Sequence, residues 1–275
     1  MGAGPSMATA IMPELPQELI DHIIDYIDER KSLKACSLVS SQWSARSQKH
    51  LFVRVDFSST RDLQRWCARI SPGPSGLSSF VEKLSISEYP SSCTLPSPSW
   101  LHSSILSSAA SHFRSFSALR VLEIRRWRMS TGRVSSMLHS LGSSLENVTH
   151  LALHDVHIHP STLAMFVSRF PCLNRLSISG FPLSITPDGT GGSHRGSRIN
   201  IVPTHPRGEF SVSDVWISLQ TPKEIFEGIT LLEPRFRRVS LTNISQYAWR
   251  DYWPLIEACA GSLEELHILA TPTGE

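Results

Sequence analysis

One spacing recurs along most of this chain: an apolar residue, any two residues, a second apolar residue, any one residue, a third apolar residue. It occurs as Val81/Leu84/Ile86, Leu119/Leu122/Ile124, Val148/Leu151/Leu153 and Leu173/Leu176/Ile178. Weaker copies are Val212/Val215/Ile217, Phe236/Val239/Leu241 and Leu263/Leu266/Ile268. The central residues of these seven copies are separated by 38, 29, 25, 39, 24 and 27 positions. The alternation that closes each copy makes a short strand with one inward face. A period of this length holds one strand and one crossover. Such a unit cannot bury its own apolar side, so units must stack. The fold class expected is α/β, with parallel strands lining a curved inner wall and helices outside.

Helix-period segments lie between the copies. They hold Trp100, Ile105, Leu106, Ala109 and Phe113; Val134, Met137, Leu138 and Leu141; and Leu163, Ala164, Phe166 and Val167. Thr221, Pro222 and Glu224 form a capping box that opens a helix with Ile225, Phe226 and Ile229. Trp249, Trp253, Leu255 and Ile256 mark the last helix, despite Pro254. Ahead of the repeats, Arg61 to Ile70 reads as a helix with Leu63, Trp66, Cys67 and Ile70 inward. Residues 183–210, which include the glycine-rich "TPDGTGGSHRGSR", break the pattern and read as a disordered or flexible insertion.

The front of the chain follows a different logic. Leu15 and Pro16 open a helix in which Leu19, Ile20, Ile23, Ile24 and Ile27 recur at helical spacing, with Asp21, Asp25 and Asp28 on the other side. A second helix starts near Ser32, a good N-cap, and carries Leu33, Cys36 and Val39. A third runs from about Ser40 through Trp43 to Phe52. About 40 residues is near the lower limit for a domain folding alone. These helices carry more apolar surface than they can hide among themselves.

The segment "LPQELIDHIIDYI…LKACSLVSSQW" resembles an F-box of the form common in basidiomycete fungal proteins. The matching positions are Leu15, Pro16, Glu18, Leu19, Ile23, Ile24, Ile27, Leu33, Cys36, Leu38, Val39 and Trp43. Ser41 departs from the basic residue that many relatives carry there. The resemblance implies binding to the Skp-type adaptor of a cullin–RING ubiquitin ligase. Contact, or support of the contact, would fall to Leu15, Pro16, Leu19, Ile23, Ile24, Leu33, Val39 and Trp43. The repeats behind it resemble an irregular leucine-rich solenoid. That motif usually has asparagine three places after the last apolar residue of each strand. Here the position holds Tyr89, Trp127, Val156, Phe181, Gln220, Ile244 and Thr271, so packing is expected to hold the turns. The organisation expected is a disordered tail over 1–12, an F-box over 13–55 and a leucine-rich-repeat-like solenoid over 56–275.

Charge and composition narrow the function. A formal charge of +2 gives no field for nucleic acid or an anionic membrane. No run of 18 apolar residues would span a bilayer. The five cysteines, Cys36, Cys67, Cys93, Cys172 and Cys259, are odd in number and scattered, which suits free thiols in the cytosol or nucleus. "HLALHDVHIHP" gathers His150, His154, Asp155, His157 and His159, so a metal-dependent hydrolase is one alternative. No nucleophile elbow, Walker A loop or HExxH motif accompanies it.

A non-catalytic adaptor with no cofactor, metal or small-molecule substrate is therefore expected. The target site is expected on the concave wall, among the outward residues Lys83, Ser85, Glu123, Arg125, His150, His154, Arg175, Ser177, Trp216, Arg238, Ser240, Glu265 and His267. Of these, Glu123, Arg125, His154, Arg175, Trp216, Arg238 and His267 are the candidates. Trp216 is the aromatic anchor, and "RFRR" at Arg235 to Arg238 could favour an acidic partner. A second alternative is an interaction scaffold with no ligase role.

Overall fold

A computed structural model of the chain describes residues 15–69, 76–88, 108–109, 112–127, 141–142, 144–156, 160–180, 206–213, 226, 229–244 and 249–270. The chain divides into two compact units, Met1–Phe52 and Val53–Glu275.

The first unit holds three helices: α1 (Gln17–Asp25), α2 (Arg30–Cys36) and α3 (Ser41–Phe52). Pro16 stands at the N-cap of α1, and its carbonyl accepts from the N–H groups of Leu19 and Ile20. Ser32 lies inside α2 and donates its hydroxyl to the carboxylate of Glu29, which holds the N-cap place expected for the serine. Ile20, Ile24, Leu33 and Leu51 form the core of this unit, flanked by Ile27, Trp43 and Phe52.

The second unit is built on one open sheet of eight parallel strands, each paired with its neighbour in sequence. The strands are β1 (Arg54–Phe57), β2 (Lys83–Ser87), β3 (Val121–Arg125), β4 (His150–His154), β5 (Arg175–Ser179), β6 (Arg207–Ser213), β7 (Arg235–Ile244) and β8 (Glu265–Ala270). Register aligns Val55, Leu84, Leu122, Leu151, Leu176, Phe210, Val239 and Leu266 in one row across the sheet. Two places on, a second row runs from Phe57 through Ile86, Ile124, Leu153, Ile178, Val212 and Leu241 to Ile268. These rows are the last two positions of the repeating template. Their described side chains on β1 to β7 share one core with Leu63 of α4 (Thr60–Arg69), Leu163 and Phe166 of α5 (Pro160–Val167) and Leu255 of α6 (Trp249–Cys259), while Leu266 and Ile268 of β8 are each 39% exposed. α4, α5 and α6 lie on the connections from β1 to β2, β4 to β5 and β7 to β8, the crossovers that parallel pairing requires.

Register corrects the repeat at two places. β1 is a further copy, Phe52/Val55/Phe57, that begins inside the stretch assigned to residues 13–55, and the two compact units divide after Phe52. β6 centres on Phe210 rather than Val215, and Arg207–Phe210 belong to this strand rather than to the insertion assigned to 183–210. The eight central residues are then 29, 38, 29, 25, 34, 29 and 27 positions apart, a more even period. Residues 181–205 and the capping box at Thr221–Glu224 lie outside the described residues.

The turns that leave the strands repeat as well. Arg126, Asp155 and Gly180 stand two residues after Ile124, Leu153 and Ile178, and all three adopt positive φ, between 52° and 66°. Their left-handed turn sends the chain off the sheet. The N–H of Arg126 still donates to the carbonyl of His154, and that of Asp155 to the carbonyl of Ser179. Next in line, Trp127 and Val156 are buried in the core, in the place where asparagine was absent. The other such positions lie outside the described side chains. In α6 the inward aromatic is Tyr252, not Trp253, which is 54% exposed. Tyr252 packs on Phe226 at 4.6 Å between ring centres, and Phe226 meets Phe210, which stacks on Phe236.

Candidate functional site

Two surfaces collect the candidate residues. The first is a stripe on the helical unit. Successive helical residues are turned by about 100°, so Ile20 and Ile24 point into the core while Leu19 and Ile23, one residue earlier, do not. Leu19 is 50% exposed and Ile23 43%, against 1% and 0% for Ile20 and Ile24. Leu15 and Tyr26 extend the stripe at both ends, and Leu38 and Val39, just past α2, are exposed as well. Leu15, Pro16, Leu19, Ile23 and Val39 thus stand where a partner could touch them. Ile24 and Leu33 do not: they are core residues, and Trp43 is half-buried beside them. Those three hold the helices that present the stripe. Tyr26 was missed, although three residues after Ile23 is a helical neighbour's spacing.

An ionic clasp fixes this unit. Arg46 grips both carboxylate oxygens of Asp25, at 2.7 and 2.6 Å, and His50 Nε2 lies 2.7 Å from Oδ1. Gln17 donates to Asp21 and to the carbonyl of Gln42. The Arg46 hydrogen bond, then that of His50, hold the Asp25 carboxyl well below the usual carboxylate range. This clasp joins α1 to α3 on the polar side of α1 and leaves the apolar stripe uncovered.

The second surface is the sheet face opposite the core. Alternation along each strand turns the intervening residues to this side, and register lines them up in rows. Glu123, in the middle row, is 4% exposed. Three strands send side chains to it: Lys83 Nζ of β2 at 3.1 Å, Arg125 Nη2 of β3 at 2.6 Å and His154 Nε2 of β4 at 3.1 Å. Burial pushes the Glu123 carboxyl up, but the hydrogen bonds of Arg125 and Lys83 outweigh it and hold the group at about 2. Ser179 Oγ lies 2.5 Å from His154 Nδ1. The neutral tautomer protonated at Nε2 satisfies both neighbours, and burial of the ring favours neutrality by pushing the imidazole down.

A second network runs toward β8. Glu209 receives Arg175 and, at 3.1 Å, Arg238. Glu265 receives Arg238 at 2.8 Å and lies 2.7 Å from His267 Nε2. The guanidinium of Arg238 is therefore already matched by carboxylates. Six of the seven target-site candidates share this face, while Trp216 lies outside the described residues. Glu209 was missed because the strand that carries it was placed several residues too late; Arg54 and Asp56 were missed with β1.

His150 and His154 stand four residues apart on one strand, about 13 Å, too far to share an ion. His150 pairs instead with Ser177 at 3.2 Å. Among the described residues no three His, Cys, Asp or Glu side chains are grouped to hold a metal. His157 and His159 lie outside them. Among the described residues, too, no helix is long and apolar enough to cross a membrane. Cys36, Cys67, Cys172 and Cys259 are free thiols, and Cys93 is outside the described residues. Neither a scan of protein-family models nor a search of curated proteins finds a match to this chain.

Proposed function

We propose that the chain is a non-catalytic adaptor. Its helical unit docks, as an F-box, on the Skp-type subunit of a cullin–RING ubiquitin ligase. Its parallel sheet, read as an irregular leucine-rich solenoid, holds a target protein on the polar face. Linking two binding surfaces raises the effective concentration of one partner at the other, so no chemistry is required of this chain. The compartment that suits this role is the cytosol or nucleus.

The observation that carries the reading is the apolar stripe Leu15–Leu19–Ile23–Tyr26 with Leu38 and Val39. A helical unit this small buries four core side chains and leaves six large apolar ones exposed. Exposed apolar patches of this kind mark protein-binding sites. The unpaired stripe lies beside motif residues that resemble those of an F-box. The test is reconstitution with a Skp-type adaptor and cullin. The chain should co-purify with both, and Leu15→Ala with Pro16→Ala should abolish co-purification while circular dichroism stays unchanged. Co-purification that survives the double change would defeat the assignment.

A further inference from the structure

We propose that the polar face over β2–β5 receives an extended acidic segment of a partner protein. This deepens, and rests on, the reading of that face as the target site. The argument is one of charge placement. The outward positions of β2 to β5 carry three permanent cations, Lys83, Arg125 and Arg175, and two histidines, His150 and His154. One carboxylate, Glu123, is set among them, and it is sunk below the surface. The side chains of Lys83 and Arg125 are 34% and 43% exposed, and that of Arg175 50%. Within β2 to β5 the positive charge therefore reaches solvent and the negative charge is buried; the carboxylates of the flanking strands, Asp56 of β1 and Glu209 of β6, are each paired with an arginine, Arg54 and Arg175.

The buried carboxylate also has an organising effect. Lys83 and Arg125 come from adjacent strands and are held by the same group, so their positions are fixed before any partner arrives. Preorganised donors lose less freedom on binding than loose ones. The remaining outward positions here include Ser85, Ala152, Ser177 and Ser179, which leave room for an extended chain between the longer side chains. Toward β8 the balance reverses, because Glu209 and Glu265 flank Arg238. Glu209 already covers part of Arg175, so the strongest attraction lies over β2 to β4.

The test is fluorescence anisotropy on the full chain with a labelled peptide of alternating Glu and Ser. A peptide with Lys in place of Glu and a single-stranded oligo-dA serve as comparisons. The acidic peptide should bind, the basic one should not, and added salt should weaken the complex. Lys83→Gln should weaken it about five-fold, and Arg175→Gln by less, because Glu209 already covers part of Arg175. Glu123→Gln should tighten it about five-fold, since the amide oxygen can still accept from Arg125 and keep it in place while the negative charge under the patch is gone. A variant that merely unfolds cannot give that gain. Equal binding of both peptides, or weaker binding by Glu123→Gln, overturns the proposal. Tighter binding of the oligonucleotide than of the peptide assigns the face to nucleic acid and overturns it too. So does self-association through this face in sedimentation velocity. Peptide binding by a chain that never binds a Skp-type adaptor would overturn the ligase reading alone.

Discussion

Two adjacent isoleucines on α1 separate core from spare surface, and truncating each in turn measures the difference. Ile→Ala deletes three carbons, at about 0.8 kcal/mol for each that is buried. Ile24 is 0% exposed, so the transfer loss is about 2.4 kcal/mol, and the cavity left behind raises it to about 3–4 kcal/mol. Ile23 is 43% exposed, so little more than half of that loss applies, about 1.4 kcal/mol. Alanine's better helix propensity returns about 0.4 kcal/mol, leaving about 1 kcal/mol. A unit of this size is worth about 3–8 kcal/mol in total. Ile24→Ala should thus bring the helices close to unfolding, while Ile23→Ala leaves them standing. Native-state hydrogen exchange of the α1 and α3 amides in the full chain reads both values. An Ile23→Ala loss equal to that of Ile24→Ala would mean that the stripe is buried, and the reasoning would fail.

Three further outcomes follow from the same geometry. Asp25 is held ionised in the folded unit, so its contribution is complete above the unfolded carboxylate range near pH 4 and disappears as the pH falls below it; an acid titration of α1–α3 amide protection should show the loss, and Asp25→Asn should flatten it. Glu123→Ala should cost about 2 kcal/mol by thermal unfolding, less than a fully buried pair, because Lys83, Arg125 and His154 can each turn to solvent; a change near zero would mean that the network adds nothing. Gly180→Ala should cost about 1–2 kcal/mol, since φ is +66° there and the new methyl would press on the Asp155 carboxylate.

Much of the sheet was legible because its inward rows repeat a short apolar template, and burial of that template sets the register. The errors arose where the template is impure. Arg207 replaces the first apolar residue of the sixth strand, and Val212, its true last residue, also opens a plausible later copy that ends at Ile217. β1 hid because Phe52 serves both the third helix and the first copy. On α1, periodicity alone grouped Leu19, Ile20, Ile23 and Ile24 as one apolar side. Which pair is core depends on where α3 and the Asp25–Arg46 clasp lie, and neither is local information. The ion-pair rows were legible as a face, but not as networks. Whether a carboxylate sits among cations or beside them is decided by the register between strands far apart in sequence.

The central claim is that the helical stripe is left uncovered for another protein. Calorimetric titration of a Skp-type adaptor into the full chain, and into the Leu19→Lys/Ile23→Lys variant, tests it directly. Lysine keeps an apolar stem against the helix but cannot enter an apolar interface uncharged. The account predicts binding with a negative heat-capacity change, and a loss of about two orders of magnitude in the variant, with acidic-peptide binding unaltered. No binding by the unmodified chain, or equal binding by both, would contradict it.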